Sequence, residues 1–235
     1  MLIFELLNQF ETTCKAGFFR LATKLNKTFG NNIIEILFLI MAIPERINFL
    51  QFGRYGRRTE SIYRRTFDRD FDWLGFNMNL AASRFQYGMK RLAIAIDASF
   101  IRKAGKKTDH VGRFWSGCAS AVNHGLEILG VGLVDVDICD CMTLFVKQTL
   151  NAKELKAKNM NLMQWYLHVL KEHADELLKI TNVVVADAGF SGKPFVDGLK
   201  AMGFELVSRF RSDAILFYQC STPRTGKRGR PRKHD

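Results

Sequence analysis

Two short apolar runs, each finishing on an aspartate, constrain this chain more than any other feature. Leu92-Ala93-Ile94-Ala95-Ile96 leads into Asp97, and Val183-Val184-Val185-Ala186 leads into Asp187. Runs of this length and composition read as buried strands. An unpaired carboxylate on a buried strand is costly, so each acid needs a reason to be there. The two lie 90 positions apart, and only the fold can bring them together. An acid at a strand end is also often a turn or cap residue, and for either aspartate alone that plainer reading stands. The pair in its strand order carries the argument.

Hydrophobic spacing supplies that order. Residues 1–43 read as helices, with Phe4, Leu7, Phe10 and Phe18, Leu21, Leu25 recurring near three and four. Gly30-Asn31-Asn32 predicts a break, and Pro44 an end. Residues 46–69 also read as helical. After Asp97 comes a basic loop, Lys103-Ala104-Gly105-Lys106-Lys107. Phe114 to Val122 and Leu126 to Val136 read as strands turning at Asn123-His124-Gly125. Residues 152–179 return to helical spacing, with Leu162, Trp165, Tyr166, Val169 and Leu170 on one face. Ser191 or Gly192 then caps a helix with Pro194 in its first turn, and Phe204 to Ser208 reads as a last strand.

The order β-β-β-α-β-α-β behind a helical N-terminal region describes an α/β fold: a ribonuclease-H-like mixed sheet flanked by helices. The first and fourth strands of that order lie side by side and parallel, making Asp97 and Asp187 neighbours. Three regions are expected: a helical N-terminal region over 1–90, an α/β core over 91–215 and a basic tail over 216–235.

Charge points to a polyanionic partner. The 235 residues carry a net +12, which favours nucleic acid over an anionic membrane surface. Residues 1–90 hold 13 Lys+Arg against 8 Asp+Glu, residues 91–220 hold 16 against 14, and the last fifteen hold 6 against 1. A nearly neutral body with basic ends suits an enzyme core held on DNA by its flanks. Within 46–69, Arg54, Arg57, Arg58, Arg64 and Arg65 alternate with Phe49, Phe52, Tyr55, Tyr63 and Phe67. Arginine forks suit phosphate oxygens, although a solvated helix over an aromatic core has the same pattern. In the tail, Arg228, Arg230, Arg232 and Lys233 surround Gly229 and Pro231. They read equally as a minor-groove hook or as a basic tail without structure.

Other features exclude classes. Five cysteines without a Cys-x-x-Cys pair argue against zinc and for reduced thiols in a cytosol. The longest apolar run, Ile36 to Ile43, is too short to span a bilayer, and the Met-Leu-Ile-Phe-Glu opening, without a basic n-region, is not expected to be a signal peptide. Asp135, Asp137 and Asp140 read as a solvated turn, and His168 and His173 as helix surface.

Two close carboxylates repel, and divalent cations remove that repulsion. Hard ions such as Mg2+ (or Mn2+) take oxygen ligands and keep room for water and phosphate. Two such ions, roughly 3.5–4 Å apart, can serve phosphodiester chemistry.

Around the aspartates the sequence resembles a known family. Ala95-Ile96-Asp97-Ala98-Ser99-Phe100-Ile101 with the following basic loop resembles the first-aspartate motif of DDE transposases from bacterial insertion sequences. Val184-Val185-Ala186-Asp187-Ala188-Gly189-Phe190 resembles their second. Gly125-Leu126-Glu127-Ile128, Gln148-Thr149, Val207 to Ala214, Arg224 to His234 and the Asn48-to-Asp72 block add similarity over roughly 46–235.

The resemblance implies hydrolysis of a phosphodiester at a transposon end and joining of the freed 3′ hydroxyl to target DNA. It implies that Asp97 bridges two Mg2+ ions and Asp187 holds one. Lys103, Lys106 and Lys107 would lie near the DNA backbone. Double-stranded DNA, as transposon ends and target, is the implied partner. A homo-oligomer and a nucleoid-associated bacterial cytoplasmic site are expected, with no membrane role.

The family also requires a glutamate on a later helix. After Asp187 only Asp197, Glu205, Asp213 and Asp235 remain, none of them on such a helix. The resemblance thus implies a helical N-terminal DNA-binding region over 1–90, an incomplete catalytic core over 91–215 and a basic tail over 216–235 that opens an insertion. The chain is therefore read as a C-terminally truncated transposase. The alternative is a non-catalytic DNA-binding remnant, or an inhibitor of an intact transposase.

Overall fold

The computed structural model describes residues 2–21, 25–85, 91–105 and 107–215. The chain opens with five helices: α1 (Leu2–Phe19), α2 (Lys27–Ala42), α3 (Phe49–Tyr55), α4 (Glu60–Phe67) and α5 (Trp73–Phe85). Four strands follow: β1 (Leu92–Arg102), β2 (Gly112–Ser116), β3 (Ala121–Asp135) and β4 (Asp140–Gln148). Helices α6 (Ala152–Ala157), α7 (Leu162–Glu172) and α8 (Ala174–Leu178) lead to β5 (Val183–Ala186). A 3-10 turn (Ala188–Phe190), α9 (Lys193–Ala201) and β6 (Glu205–Val207) complete the described core.

The sheet runs β2-β3-β1-β5-β6, and β4 pairs with β3 along the same edge as β2. β1 is antiparallel to β3 and parallel to β5, and β5 is parallel to β6. Without β2, the order β4-β3-β1-β5-β6 is the ribonuclease-H-like mixed sheet that the sequence predicts. One face of the sheet is buried. Ile94, Ile96, Leu129, Leu133 and Val184 pack beneath Tyr166, Val169 and Leu170 of α7, Leu199 of α9 and Phe85 of α5. Each such side chain removed from water stabilises the fold by about 1.5–3 kcal/mol.

Tertiary contacts overrule several local expectations. Gly30-Asn31-Asn32 lie inside α2 rather than breaking it. The helix starts at Asn26, whose side chain accepts the Thr28 and Phe29 N–H groups, and buried Asn32 donates to Thr66 Oγ1 at 3.2 Å. Residues 46–69 contain two short helices, α3 and α4, as their helical reading expects. The β2–β3 turn falls at Gly117 to Ser120, not at Asn123-His124-Gly125, which sit within β3. Ser120 takes the left-handed backbone there, with φ 46°. Strand β4 escapes a sequence reading because its apolar residues alternate poorly around the bulge beside Val131 and Gly132. The 152–179 block divides into three helices, two with capping boxes at Asn151 and Asn161. Asp135 is fully buried rather than solvated, and its Oδ1 accepts the N–H groups of Asp137 and Ile138. Among the described residues, no helix is long and apolar enough to cross a membrane.

The α3–α4 junction rests on one carboxylate. Glu35 of α2 accepts the Arg57 N–H at 2.6 Å and the Tyr63 hydroxyl at 2.7 Å, and pairs with Arg58 at 3.4 Å. Gly56 makes the approach possible, since a methyl group there would lie 2.0 Å from Tyr63 Oη. Burial, and then the bond to Glu35, push the Tyr63 hydroxyl from 10.0 up to about 12.

Glu35→Ala strands the Arg57 N–H and the Tyr63 hydroxyl, and should cost about 1–3 kcal/mol in thermal or urea unfolding. The folded state holds the Tyr63 proton more tightly than the unfolded chain does. Its stabilisation is therefore complete below pH 10.0 and lost as pH rises towards about 12. Tyr63→Phe should flatten that alkaline fall by one proton's worth, and an unchanged slope would count against this account.

Candidate active site

The register of β1 against β5 places the two aspartates. Ile94 lies beside Val184, Ala95 beside Val185 and Ile96 beside Ala186. The next residues on the two chains are Asp97 and Asp187. Parallel neighbours lie about 4.8 Å apart, so both carboxyl groups leave adjacent backbones on one face. That face is the one opposite the core, and both aspartates are exposed. The expected burial of these acids is thus corrected. β1 and β5 bury alternate residues only, and Val185 is 36% exposed beside the site. What the two carboxylates need is relief from each other rather than from the protein interior.

Local geometry fixes each of them. Asp187 caps the 3-10 turn, its Oδ1 accepting the Gly189 N–H at 2.9 Å. The Ser208 hydroxyl, just after β6, donates to the Asp187 carbonyl at 2.8 Å. Asp97 sits in mid-strand, opposite Gly130 of β3, where no side chain crowds it.

On the buried face of β3, opposite Phe100, lies a polar pair. The Tyr166 hydroxyl of α7 donates to Glu127 Oε1 at 2.5 Å, and Glu127 is 6% exposed. Burial, then the bond to Glu127, hold the Tyr166 proton far above the usual tyrosine range, and the charges of Glu127 and Asp97 add to this. Sequence spacing assigns Tyr166 only to an apolar helix face. Glu127 was visible only through family resemblance, and nothing in the periodicity joins it to Tyr166.

Among the described residues, no third acid joins the pair, and no group of three His, Cys, Asp or Glu side chains is arranged to hold a metal ion. Asp197 is held by Lys193 at 2.5 Å and Asp213 by Arg211 at 3.0 Å. Glu205 is exposed at the start of β6. Even so, the donor set suits Mg2+ or Mn2+. Two exposed carboxylates offer hard oxygens on one side and leave the other side open to water and phosphate.

The predicted DNA-contacting residues fall into three groups. Arg54, Arg57, Arg64 and Arg65 are exposed on α3, α4 and their junction, with Arg64 also paired to Glu60 and lying over the Phe49 ring at 4.6 Å. Arg58 is partly turned inward to Glu35. Lys103 and Lys107 are exposed in the loop beyond β1. Lys106, Arg228, Arg230, Arg232 and Lys233 lie outside the described residues. Of the cysteines, Cys14 is buried, and burial with nearby Glu11 raises its thiol to about 11. Cys118, Cys139 and Cys141 are free and exposed. His168 pairs with Glu172 at 3.4 Å, while His173 packs on Phe145.

Mg2+ or Mn2+ should raise the unfolding temperature of the wild-type chain, because a ligand bound only by the folded state stabilises it. Asp97→Asn combined with Asp187→Asn should abolish that rise while leaving the metal-free protein folded. An equal metal-dependent rise in the double variant would place the cation elsewhere.

Comparison with known proteins adds to this geometry. A family profile described as "DDE superfamily endonuclease" matches residues 46–235. No curated protein matches the chain. Three chains of solved structures match. One is from the "Crystal structure of a pre-cleavage Mos1 transpososome", at 9% identity and a TM-score of 0.17. The match covers 74% of this chain and 58% of that one, so the chain spans well under two thirds of its length. That likeness is too distant to inform either fold or function.

Proposed function

Because the chain belongs to the DDE superfamily endonucleases, we propose that it derives from a transposase that cuts and joins DNA. The observation that carries this reading is the placement of Asp97 and Asp187. Asp97 in β1 and Asp187 directly past the end of β5 follow the last register pair of adjacent parallel strands, and both are exposed on the open face of a ribonuclease-H-like sheet. Asp97 and Asp187 would hold Mg2+ or Mn2+. When bound, such ions make a phosphodiester open to attack by an activated oxygen and stabilise the leaving oxygen.

The protein's own groups act on position. Gly189 and Ser208 fix the turn that carries Asp187. The Tyr166–Glu127 hydrogen bond ties α7 to β3 on the buried side of the sheet. Phosphodiester transfer depends strongly on alignment, and an error of about 1 Å can cost on the order of a hundredfold in rate.

Residues 1–90 would grip duplex DNA, with Arg54, Arg57, Arg64 and Arg65 outermost. Residues 91–215 would form the catalytic core, and 216–235 a further basic contact. The DNA would be transposon ends and target in a bacterial nucleoid, held by a homo-oligomer. Among the described residues, two acids rather than three meet at the site. This favours a chain that binds DNA without cutting it, or that inhibits a transposase carrying all three acids.

Two measurements test this. The purified chain should bind duplex DNA with an affinity that falls steeply with salt, because each neutralised phosphate releases counterions. Replacing Arg54, Arg57, Arg64 and Arg65 with alanine should weaken binding to all sequences and flatten that slope; unchanged binding would make these arginines surface only. A supercoiled plasmid carrying the element's ends should remain intact with Mg2+ or Mn2+. Metal-dependent nicking that Asp97→Ala abolishes would show that the chain completes its own site.

A further inference from the structure

Strand β1 does not end at the aspartate. It continues through Ala98 to Arg102, and the first residues of β3, together with β2, pair alongside to form a three-stranded arm. Residues paired across antiparallel strands share a face. The register sets Asp97 beside Gly130, Ser99 beside Ile128 and Ile101 beside Leu126. It also sets Arg113 beside His124 and Trp115 beside Val122. Alternation along β3 then puts Val122 and His124 on the same face as Gly130. Trp115 and Arg113 therefore lie on the face that carries Asp97 and Asp187.

This face of the arm is open. Trp115 is 60% exposed, its cross-strand neighbour Val122 49% and Ile101 43%. The other face is fastened down. Phe114 and Glu127 are buried there, and His110 binds Glu154 at 3.0 Å behind the arm. A tryptophan held out on a braced hairpin is an aromatic platform without a described cover.

Its surroundings are basic. Arg113 and His124 flank it, and His124 Nε2 lies 3.4 Å from the Gly105 carbonyl, keeping the loop of Lys103 and Lys107 beside the hairpin. Between Ser99 and Ile128 the chain has five Lys+Arg against two acids, and one of those acids is the buried Glu127. Eight residues of β3 separate the Asp97 level from the Trp115 level. At about 3.4 Å per residue, this is roughly 27 Å. DNA rises by about 3.4 Å per base pair, so the same span is about eight base pairs.

We propose that the β2–β3 hairpin is a second contact on the DNA engaged at the aspartates. Trp115 stacks on an unstacked base about eight base-pair steps from the reacting phosphate, while Arg113, His124, Lys103 and Lys107 hold the flanking phosphates. An aromatic platform among cations binds any base through its π-face and the strand through its charge. The inference rests on the DNA-processing reading, and goes beyond it by assigning the arm a ligand.

The test uses the full chain and a duplex with a short internal bubble that carries a fluorescent adenine analogue, beside the fully paired duplex. Wild type should quench the analogue and prefer the bubble. Trp115→Ala should lose the quench and bind the bubble about tenfold more weakly, and Trp115→Phe should retain most of both. Arg113→Ala should flatten the salt dependence without removing the quench. Circular dichroism and gel filtration check that each variant folds and keeps its oligomeric state.

Equal binding and equal quenching by Trp115→Ala would overturn the proposal while leaving the DNA-processing reading intact. Loss of a dimer in Trp115→Ala, with DNA binding unchanged, would overturn it in favour of an interface between copies. A wild-type chain that binds neither duplex would overturn both readings.

Discussion

The parallel pairing of β1 with β5 is the constraint on which the rest of the structure depends. It comprises three register pairs, Ile94–Val184, Ala95–Val185 and Ile96–Ala186, yet it closes a loop of some ninety residues. Closing such a loop costs entropy, and a parallel pair must be reached by a crossover rather than a tight turn. The crossover here holds β2, β3, β4 and three helices. Its apolar face recovers the cost: Tyr166, Val169 and Leu170 cover Ile94, Leu129 and Val184 on the sheet. The two aspartates become neighbours because this closure succeeds, and a slip of one residue between the strands would turn one of them into the core.

The sheet is buried on one side, and this explains how two charges tolerate such a position. Ile94, Ile96 and Val184 face inward, while Ala95, Val185 and the two aspartates face out. Water can solvate the carboxylates, and a phosphate or cation can reach them. The inward face supplies stiffness instead, including the bond of Tyr166 to Glu127. One strand pattern thus separates stability from chemistry, alternating them residue by residue.

The N-terminal helices divide their charges in a similar way. Glu35 draws in Arg58 and the backbone of Arg57, which sets the angle between α3 and α4. Arg54 and Arg65 remain exposed around that fixed corner. Helix α5 connects this region to the sheet. Its Phe76 packs with Phe18 of α1 at 4.9 Å, while its Ala81 and Phe85 belong to the sheet core. Apolar and aromatic side chains therefore tie α1 and α2 to α5 and the sheet, and α2 in turn holds the α3–α4 corner through Glu35.

By itself, the sequence determined the strand and helix types near the site. Short β-branched runs ending in Asp97 and Asp187 have one sensible conformation, and the strand order they imply makes them neighbours. The Pro194 helix start and the inward face of α7 were equally legible, because period and caps are local properties. Only the tertiary structure decided where turns fell, which acids were buried and what lay on each face. Asn32 was accepted inside a helix because Thr66 bonds it. Asp135 was buried because the N–H groups of Asp137 and Ile138 satisfy it. The meeting of Tyr166 with Glu127, and the shared face of Trp115 and Asp97, depend on register between distant strands and helices. Register is set by the sum of many contacts across the chain, so no local run of residues contains it.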